Sequence, residues 1–481
     1  MCMTSSSPKN PRTTAPADAA GAASASSAST SSASTSSAAA SSEAASSGAL
    51  ALTPWTGRFD FAVGLPGSKS LTLRDCAIAA LADGTSTIRY PGECDDYWRM
   101  KDCLGRLGIA VDDSTSDVVR ITGRGGEFAG GGLELFTGQS AVSTRLLLAM
   151  AALRPDVTVI DGHVSMRARP NKPLVDALVE LGAGLESTND GYLPTRVTGS
   201  RELHGPVQVP SDISSQYLTS LLIIAPLLKG GLTIQVAGKL TSKPYVDLTL
   251  DEMAKFGVQV DNRDYSELRV AHQPYRAREL GVEGDASAAS YFAALATLHG
   301  SSVRLENLGT ATRQGDYAFL GLCEQLGASV RRAEHHTEIA GPRGGLAGRS
   351  FQGPVDMTTM PDVAPTLMMV APFLATATRI TGLATLRVKE CDRIAAPARE
   401  LRKLGVSLEE GPDYMVIEPL GSEALARSSS VDIETYHDHR IAMSFGVLGS
   451  KLPGLRILDP GCVAKTYPKY WQDWQRCRPR H

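Results

Sequence analysis

The amino-acid sequence predicts an α/β protein of two similar lobes, each built from three repeated α/β units. The first observation is a pattern that occurs five times, in which an amphipathic run ends in Leu or Phe, then Gly, then alternating apolar residues. Each glycine suits the left-handed position that ends a helix, and the alternation after it is typical of a strand. These glycines are separated by 74, 75, 70 and 78 residues, and they are Gly108, Gly182, Gly257, Gly327 and Gly405.

A second pattern runs out of phase with the first and occurs six times. It consists of an apolar helix, a Gly or polar break, and a short strand that ends at Ile88, Ile160, Ile234, Leu305, Ile380 or Ile457. Six copies at one period indicate six α/β units. If helices cover one face of each sheet, three units can surround a common helical core, and the cleft between two such lobes is a common ligand site.

The ends of the chain and of the repeats set the expected domains. Residues 1–50 hold few large apolar groups, so we expect a disordered Ala/Ser-rich tail. The alternative is a plastid transit peptide, with Lys9 and Arg12 as its only basic residues. We expect lobe 1 to comprise residues 51–65 plus 284–481 and lobe 2 to comprise residues 66–283, with the active site between them.

Composition excludes several classes of protein. The chain has 481 residues, 42% of them hydrophobic, which suffices for large cores, but no run of about 18 apolar residues and no secretory signal. We therefore expect a cytoplasmic protein without a membrane partner. The eight Cys form no C-x-x-C pair, so neither a disulfide framework nor a zinc knuckle is indicated. The net charge of -3 does not favour nucleic-acid binding, so an anion site must be locally cationic.

One local sequence, LPGSKSLTLRDCA at residues 65–77, looks like half of a phosphate-binding loop. The spacing of its glycines differs from G-x-x-x-x-G-K-[ST], which excludes a nucleotide-kinase loop. Two interpretations remain at this point. Either Lys69 binds an anion, or residues 66–68 form a turn and Ser70 caps the following helix.

Nine segments, taken together, carry a resemblance to a known family. They are SKSLTLR (68–74), TGQSAVSTR (137–145), SMRARP (165–170), SDISSQY (211–217), TSKPY (241–245), MPDVAP (360–365), RVKECDR (387–393), YHDHRIAM (436–443) and GCVAKT (461–466). In this order they resemble the 5-enolpyruvylshikimate-3-phosphate synthase family, the enolpyruvyl transferases of the shikimate pathway. The similarity extends from about Leu65 to Trp474 and includes VEGDASAASYF, DISSQYLTSLL and RVKECDRIA.

The resemblance implies both a fold and a reaction. The fold is a two-lobed inside-out α/β barrel, or prism, of six βαβαββ-type repeats, three per lobe. The reaction transfers the enolpyruvyl group of phosphoenolpyruvate to a hydroxyl of a phosphorylated acceptor, in the first place shikimate-3-phosphate, and releases phosphate without a metal or cofactor. The implied partners are these small molecules, with no nucleic acid, no membrane and a monomeric chain.

The resemblance also implies roles for individual residues. Phosphoenolpyruvate carries a carboxylate and a phosphate, which pair well with converging Arg and Lys side chains. The implied phosphoenolpyruvate-binding residues are Lys69, Ala141, Arg169, Gln216, Arg393, Arg440 and Lys465. The implied acceptor-binding residues are Ser70, Arg74, Ser214, Ser215, Gln216, Ser242, Tyr245, Asp362, Thr385 and Lys389.

Three of the family positions carry acid–base chemistry, which a charged and desolvated site must hold ready. Asp362 corresponds to the base on the acceptor hydroxyl, Glu390 to the group that handles a proton at the methylene carbon, and Lys69 to a shared electrostatic and proton partner. We expect Lys69 and Arg440 to be exposed cations of the cleft. His439 corresponds to an orienting hydrogen-bond partner, and two histidines only two residues apart do not predict a metal site.

The chain departs from the family pattern at several positions. Residues 139–145 read QSAVSTR where the family has Asn-Ala-Gly-Thr-x-x-Arg, so Ala141 replaces Gly and Val142 replaces Thr. In the family that Gly borders the space occupied by the inhibitor glyphosate, so Ala141 predicts resistance. Leu73, Thr385 and His437 each replace a family Asn, and we expect these changes to lie near the acceptor.

These departures leave a second acceptor open. The alternative is an enolpyruvyl transferase that acts on the 3'-hydroxyl of a nucleotide such as UMP, in nucleoside-antibiotic biosynthesis. The related peptidoglycan enzyme, which acts on UDP-N-acetylglucosamine, is less similar in its motifs. A non-catalytic anion-binding module would lack the acid–base residues, and the RNA-cyclase branch would need a basic track, so neither fits the sequence.

Overall fold

The computed structural model describes residues 48–210, 212–238, 240–421 and 429–479. The expected disordered tail, residues 1–50, therefore lies outside the described residues except for its last three. The last of these, Leu50, lies opposite Ile457, and together with Ala51 opposite Arg456 it forms an antiparallel strand pair. Because this pairing satisfies the backbone groups of Leu50, the ordered chain includes one residue that the sequence assigned to the tail.

The helices of the described part of the chain are numbered in chain order. They are α1 (Lys69–Leu81), α2 (Asp95–Arg106), α3 (Ala141–Ala151), α4 (Val164–Arg167), α5 (Lys172–Glu180), α6 (Gln216–Ile224), α7 (Lys243–Lys255), α8 (Ala286–His299), α9 (Phe319–Gln325), α10 (Ala364–Val370), α11 (Ala395–Lys403), α12 (His439–Gly449) and α13 (Tyr470–Cys477).

The strands are numbered in the same way. They are β1 (Leu50–Ala51), β2 (Asp60–Gly64), β3 (Asp83–Arg89), β4 (Ala110–Thr115), β5 (Val118–Arg124), β6 (Leu133–Phe136), β7 (Val157–Asp161), β8 (Gly184–Thr188), β9 (Tyr192–Thr198), β10 (Val207–Pro210), β11 (Leu232–Ala237), β12 (Val260–Arg263), β13 (Glu267–Val270), β14 (Glu279–Gly281), β15 (Ser302–Glu306), β16 (Ser329–Arg332), β17 (His336–Ala340), β18 (Val355–Asp356), β19 (Thr378–Thr381), β20 (Leu408–Glu410), β21 (Met415–Ile417), β22 (Val431–Ile433) and β23 (Leu455–Ile457).

These strands form mixed sheets of a common design. The sheets have the orders β16-β17-β15-β2, β14-β3-β5-β4, β6-β7-β9-β8, β10-β11-β13-β12, β18-β19-β21-β20 and β1-β23-β22. Each of the first five joins one parallel pair to antiparallel neighbours, as where β15 lies parallel to β2 and antiparallel to β17. The second sequence pattern predicts six short strands. They correspond to β3, β7, β11, β15, β19 and β23, one in each sheet.

The predicted helix ends are confirmed. The five glycines of the first pattern lie two residues beyond the ends of α2, α5, α7, α9 and α11. Their φ angles are 81°, 104°, 90°, 92° and 79°, a region that residues with a Cβ seldom adopt. The glycine therefore lets the chain leave each helix and turn directly into the next strand.

Buried helices form the centres of two apolar cores. One core gathers side chains between residues 71 and 282, and the other gathers residues 52–65 together with side chains between 286 and 477. Helices α1, α3 and α6 contact one another in the first core, and α8, α10 and α12 do so in the second. All residues of α3, α8, α10 and α12 are buried, which agrees with their apolar composition on every face.

Candidate active site

Eleven of the predicted site residues line two adjoining pockets, whereas Ser70, Arg74, Ser215, Ser242, Tyr245 and Lys465 line neither. The first, here called the charged pocket, is lined by Lys69, Asp96, Ala141, Val142, Arg169, Gln216, Asp362, Lys389, Glu390, Arg393, His439 and Arg440. The second, here called the side pocket, is lined by Arg145, Arg169, Pro170, Ile213, Ser214, Gln216, Thr385, Val388 and Lys389. The two pockets share Arg169, Gln216 and Lys389, so a ligand in one lies beside a ligand in the other.

The starts of five of the six central helices supply many of these side chains. Lys69, Ala141 and Gln216 are the first residues of α1, α3 and α6. In the second core, Arg440 is the second residue of α12, and Asp362 lies in the short 3-10 turn that leads directly into α10. Unpaired N–H groups and the positive end of the helix dipole favour an anion near each of these starts.

A tight turn brings Lys69 to the site. A Cβ atom on Gly67 would lie 2.1 Å from the carbonyl oxygen of Tyr90, so only glycine fits this crossing of two chain segments. Ser68 is the N-cap residue of α1, and the backbone N–H of Lys69 donates to Asp285 at 3.2 Å. Ser70 therefore lies inside the first turn, and the interpretation of Ser70 as the helix cap is wrong.

Asp362 is surrounded by cations. Its carboxylate accepts from Arg440 Nη2 at 3.0 Å and from Arg393 Nη1 at 3.3 Å, and Lys389 Nζ lies 3.2 Å away. Burial alone would raise the pKa of this carboxyl, but Arg440, Lys389 and Arg393 together hold its pKa well below the usual range. Asp362 is therefore ionised in the ligand-free site.

Glu390 has a similar environment on the other side of Arg393. Arg393 Nη2 donates to Glu390 at 2.7 Å, and Arg169 Nη1 and Lys465 Nζ each lie 3.6 Å from its other oxygen. Burial opposes the charge, but the cations, Arg393 first among them, hold the pKa of Glu390 well below its usual range. The two carboxylates assigned to acid–base chemistry thus flank one buried guanidinium.

A third carboxylate, that of Asp96, joins two predicted lysines. Lys465 Nζ lies 2.9 Å from Asp96 Oδ1 and Lys69 Nζ lies 3.5 Å from Asp96 Oδ2. Counting the lining of the charged pocket, five cationic and three acidic side chains leave an excess of two positive charges. The pocket can therefore stabilise a small, multiply charged anion.

The expected exposure of Lys69 and Arg440 is wrong. Their side chains are only 12% and 6% exposed. The start of α12 is buried and the start of α1 is partly buried, and nearby carboxylates stabilise the two charges there. Arg440 is a buried member and Lys69 a mostly buried member of an ion-pair network, and neither is a solvated cation at the rim of a cleft.

Two further arginines have no carboxylate within hydrogen-bonding distance among the contacts described. The Arg74 guanidinium donates to Thr249 Oγ1 at 3.0 Å, to the Ser70 carbonyl at 2.8 Å and to the Tyr245 carbonyl at 3.3 Å. Arg145 donates to Gln216 Oε1 at 2.6 Å and stacks on Tyr217. Burial lowers the pKa of each to about 10. A buried guanidinium bound only by neutral oxygens attracts an anionic ligand.

The remaining acceptor positions lie around the same region. Arg145 Nη1 also lies 3.3 Å from Ser214 Oγ, and Ser215 is the N-cap residue of α6. Ser242 precedes α7 with a φ of 56°, a strained conformation for a residue with a side chain. The Tyr245 hydroxyl lies 3.4 Å from Asp362 Oδ2, which links this group to the charged pocket.

The departures from the family pattern divide into two groups. Val142 lines the charged pocket and Thr385 lines the side pocket, as expected for changes near a ligand. Leu73 is fully buried in the first apolar core, and His437 is exposed with Nδ1 2.8 Å from Asp459. Neither lines the two pockets, and their expected place near the acceptor stays a prediction.

His439 lines the charged pocket, but none of the described residues is a hydrogen-bond partner that its ring nitrogens could orient. Both ring nitrogens are buried without a hydrogen-bond partner among the residues described, and Nδ1 lies 3.5 Å from Asp438. Burial, with Arg440 beside the ring, lowers the pKa of His439 well below its usual value. The imidazole is neutral, and its nitrogens are left for a ligand. Across the described residues there is no group of three His, Cys, Asp or Glu that could hold a metal ion.

Sequence reasoning missed three polar residues of the site. Asp96 lies in the first turn of α2, where an acidic residue is common for reasons of helix dipole alone. Arg145 is the last residue of TGQSAVSTR, residues 137–145, and the resemblance does not imply a role for it. Asp316, discussed below, follows Gln314-Gly315 in a loop that matches no catalytic motif. Arg145 stands at the final Arg of the family motif at residues 139–145, which is a usable signal, but no local signal distinguishes Asp96 or Asp316 from ordinary surface charges.

The geometry defines a class, a mixed α/β protein in which forked cations and ionised carboxylates line a pocket of suitable charge for a small anion. Residues 56–474 match the family model described as EPSP synthase (3-phosphoshikimate 1-carboxyvinyltransferase). This chain belongs to that family, as the resemblance implied.

Similar proteins cover nearly the whole chain. A 3-phosphoshikimate 1-carboxyvinyltransferase of Ralstonia pickettii (strain 12J) is 40% identical over 413 residues, which are 85% of this chain and 94% of the relative. That of Mannheimia haemolytica is 40% identical over 442 residues, 90% of this chain and 99% of the relative. The solved EPSP synthase of Acinetobacter baumannii matches with a TM-score of 0.73 at 25% identity, covering 89% of this chain and 98% of the other. Within the described residues, no helix is both long and apolar enough to cross a membrane.

Proposed function

We propose that this protein is an enolpyruvyl (1-carboxyvinyl) transferase that moves the enolpyruvyl group of phosphoenolpyruvate to a hydroxyl of shikimate-3-phosphate and releases phosphate. The observation that carries the proposal is the charged pocket, where five cations and three carboxylates meet at the starts of buried helices. It occurs in a chain 40% identical to 3-phosphoshikimate 1-carboxyvinyltransferases over most of their length.

Phosphoenolpyruvate occupies the charged pocket. Its carboxylate and phosphate are bound by guanidinium and ammonium groups, which pair with such anions in forked geometry. The residues proposed to bind it are Lys69, Ala141, Arg169, Gln216, Arg393, Arg440 and Lys465. The convergence of these residues on Asp96, Asp362 and Glu390 supports the assignment, because the carboxylates compensate the cations until a ligand arrives.

Arrival of the ligand changes the base strength of the two carboxylates. In the ligand-free site Arg440, Lys389 and Arg393 hold the pKa of Asp362 low. An anion that draws these cations to itself weakens their hold, so the pKa of Asp362 rises toward the range in which it accepts a proton. The same reasoning applies to Glu390, whose pKa is held low chiefly by Arg393 and Arg169. Binding of phosphoenolpyruvate thereby prepares both groups.

The chemistry then follows in two steps, starting from a Glu390 that has taken up a proton as the bound anion raises its pKa. In the first step Asp362 takes the proton of the acceptor hydroxyl as the hydroxyl oxygen bonds to the central carbon of phosphoenolpyruvate, and Glu390 gives its proton to the methylene carbon. In the second step Glu390 takes a proton back from the resulting methyl group as the carbon–oxygen bond to phosphate breaks, and the leaving phosphate takes up the proton held by Asp362. Lys69 stabilises the charge that develops on the ligand during both steps.

The acceptor occupies the side pocket and the region of Arg74. Its phosphate is bound by Ser214, Ser215 and Ser242 at the starts of α6 and α7, where backbone donors are available. Arg74, which lacks a carboxylate partner in the contacts described, binds the acceptor carboxylate together with Ser70. The remaining proposed contacts are Gln216, Tyr245, Asp362, Thr385 and Lys389.

We propose for the fold the six-repeat prism that the resemblance implied. The support is one repeat strand in each sheet and two separate apolar cores, which divide near residues 65–71 and 282–286. The active site then lies in the cleft between lobe 1 and lobe 2. A cytoplasmic monomer is part of the same proposal, to be tested by light scattering and cell fractionation.

The test is phosphate release from phosphoenolpyruvate with a panel of acceptors. We expect kcat/KM to be higher for shikimate-3-phosphate than for UMP, with Glu390→Gln as the inactive control that assigns the signal to this site. Preference for UMP would overturn the acceptor and support the nucleotide alternative. No release with either acceptor, from protein that binds phosphoenolpyruvate, would overturn the reaction.

A further inference from the structure

A buried carboxyl group without an assigned role lies beside the charged pocket. Asp316 is in the 3-10 turn Gly315–Ala318 and is 4% exposed. Its Oδ2 accepts a hydrogen bond from Ser287 Oγ, while its Oδ1 is buried without a hydrogen-bond partner among the described residues. A buried polar atom in this state is costly unless the site uses it.

One tyrosine lies between this carboxyl and the proposed base. The Tyr245 hydroxyl is 3.5 Å from Asp316 Oδ2 and 3.4 Å from Asp362 Oδ2. It has one proton and two carboxylates that compete for it. Asp362 is already compensated by Arg440, Arg393 and Lys389, as described above. Asp316 is linked to Arg440 through Ser287, whose Oγ lies 3.3 Å from Arg440 Nη2. The ionised Asp316 is therefore the stronger acceptor for the hydroxyl proton.

We propose that Asp316 is a positioning residue for the transfer reaction. As a carboxylate, it draws the Tyr245 proton to itself and leaves Asp362 free to receive the proton of the acceptor hydroxyl. As a neutral acid, it releases the Tyr245 hydroxyl to Asp362, which then has one oxygen occupied and is a weaker base. The inference rests on the proposed function, in which Asp362 is that base.

The charges around Asp316 set the pH at which it changes protonation state, and that pH lies in the range where activity can be measured. Burial and the negative charge of Asp362 raise the pKa of Asp316 to about 6, against the opposing effects of Arg440 and Ser287. Asp285, before α8, raises it further. Burial and the carboxylates of Asp316 and Asp362 raise the pKa of Tyr245 well above its usual value, so the Tyr245 hydroxyl stays protonated. Asp316 is ionised above about pH 6 and neutral below it, so activity rises with pH through this range.

The experiment measures kcat and kcat/KM from pH 5 to pH 8.5 for the wild type and Asp316→Asn. Wild type should show an acid limb with an apparent pKa near 6. Because Asn resembles the neutral acid, Asp316→Asn should have a low kcat, reduced about 10- to 100-fold at pH 7.5, and should lack that limb. Asp473→Asn, which removes a buried carboxylate far along the chain in α13, is the matched control and should keep both kcat and the limb.

Each outcome decides between the inference and the proposed function. An acid limb near pH 6 that persists in Asp316→Asn, with kcat reduced by one factor at every pH, shows a structural role and overturns the inference. If Asp316→Asn does not fold, Tyr245→Phe replaces it, since removal of the shared hydroxyl should also abolish the limb, and persistence of the limb there overturns the inference. Wild type that releases no phosphate overturns the proposed function and the inference together.

Discussion

Replacement of Lys69 by Met tests the charged pocket most directly. The change removes the ammonium group but keeps a long apolar side chain at the start of α1. Asp96, the carboxylate 3.5 Å from Lys69 Nζ, remains paired with Lys465 at 2.9 Å. The variant therefore leaves no isolated buried charge, and its fold should survive, with a loss of unfolding free energy of about 1–2 kcal/mol.

The expected loss of activity is larger. A ligand oxygen of unit negative charge, at the distance of about 3.5 Å that now separates Lys69 Nζ from Asp96, would be attracted to the Lys69 ammonium by about 5 kcal/mol at an effective dielectric constant of about 20. Part of this is offset by the existing ion pair, so we expect a net loss of about 3–4 kcal/mol in transition-state stabilisation. That corresponds to a fall in kcat/KM of roughly 10²- to 10³-fold.

The assay is phosphate release with phosphoenolpyruvate and shikimate-3-phosphate, together with urea unfolding of each variant. Lys229→Met is the matched control, because Lys229 also pairs with a carboxylate, that of Glu202, but its side chain is 71% exposed. It should keep wild-type kinetics. A Lys69→Met enzyme with kcat/KM within threefold of wild type, and unchanged affinity for phosphoenolpyruvate, would refute the assignment of Lys69.

Three further predictions concern the inhibitor, the acceptor and pH. Ala141→Gly removes a methyl group from the lining of the charged pocket and should lower the inhibition constant of glyphosate by about tenfold or more, measured against phosphoenolpyruvate. Val142→Thr combined with Thr385→Asn restores polar groups and should raise the kcat/KM ratio of shikimate-3-phosphate over UMP by about tenfold, whereas an unchanged ratio would contradict this. Burial lowers the pKa of His299 to about 3, so the native state excludes a proton that the unfolded chain binds below about pH 6.5. The native state is therefore destabilised as pH falls below 6.5, because the unfolded chain gains a proton at His299 and the native state does not. Between pH 7 and pH 5, the unfolding free energy measured with urea should fall by about 2 kcal/mol less in His299→Gln than in the wild type.

Much of the fold could be predicted because its signals are local and repeated. A glycine directly after an amphipathic run indicates the end of a helix, and an apolar segment after a polar break indicates a strand. Gly108 and Gly405 illustrate the first signal at opposite ends of the chain. The pairing of strands is not local, and no pattern in the sequence indicates that β2 joins β15 or that β14 joins β3.

Candidate site residues could be predicted where they belong to a short motif whose residue types suit the ligand. They could not be predicted where they act by contacting another side chain of the protein. Lys69 and Arg393 could be assigned from short segments that match a family. Asp96 and Asp316 act on neighbouring side chains from distant parts of the chain, so their position depends on tertiary packing. Burial is the other missing quantity, since the sequence does not reveal that the charge of Arg440 lies beneath the surface.

The pairing of β2 with β15 has a consequence for the order in which the chain becomes structured during synthesis. Val63 lies opposite Leu305, 242 residues later, while the segment between them forms an apolar core of its own. On a ribosome, β2 emerges early and must wait, unpaired, until the intervening segment has been made. The intervening core can form first, and β15 becomes available to pair with β2 only after that core has been synthesised. Because β15 is synthesised 242 residues after β2, β2 is exposed to non-native strand pairing for much of the time that the chain takes to emerge.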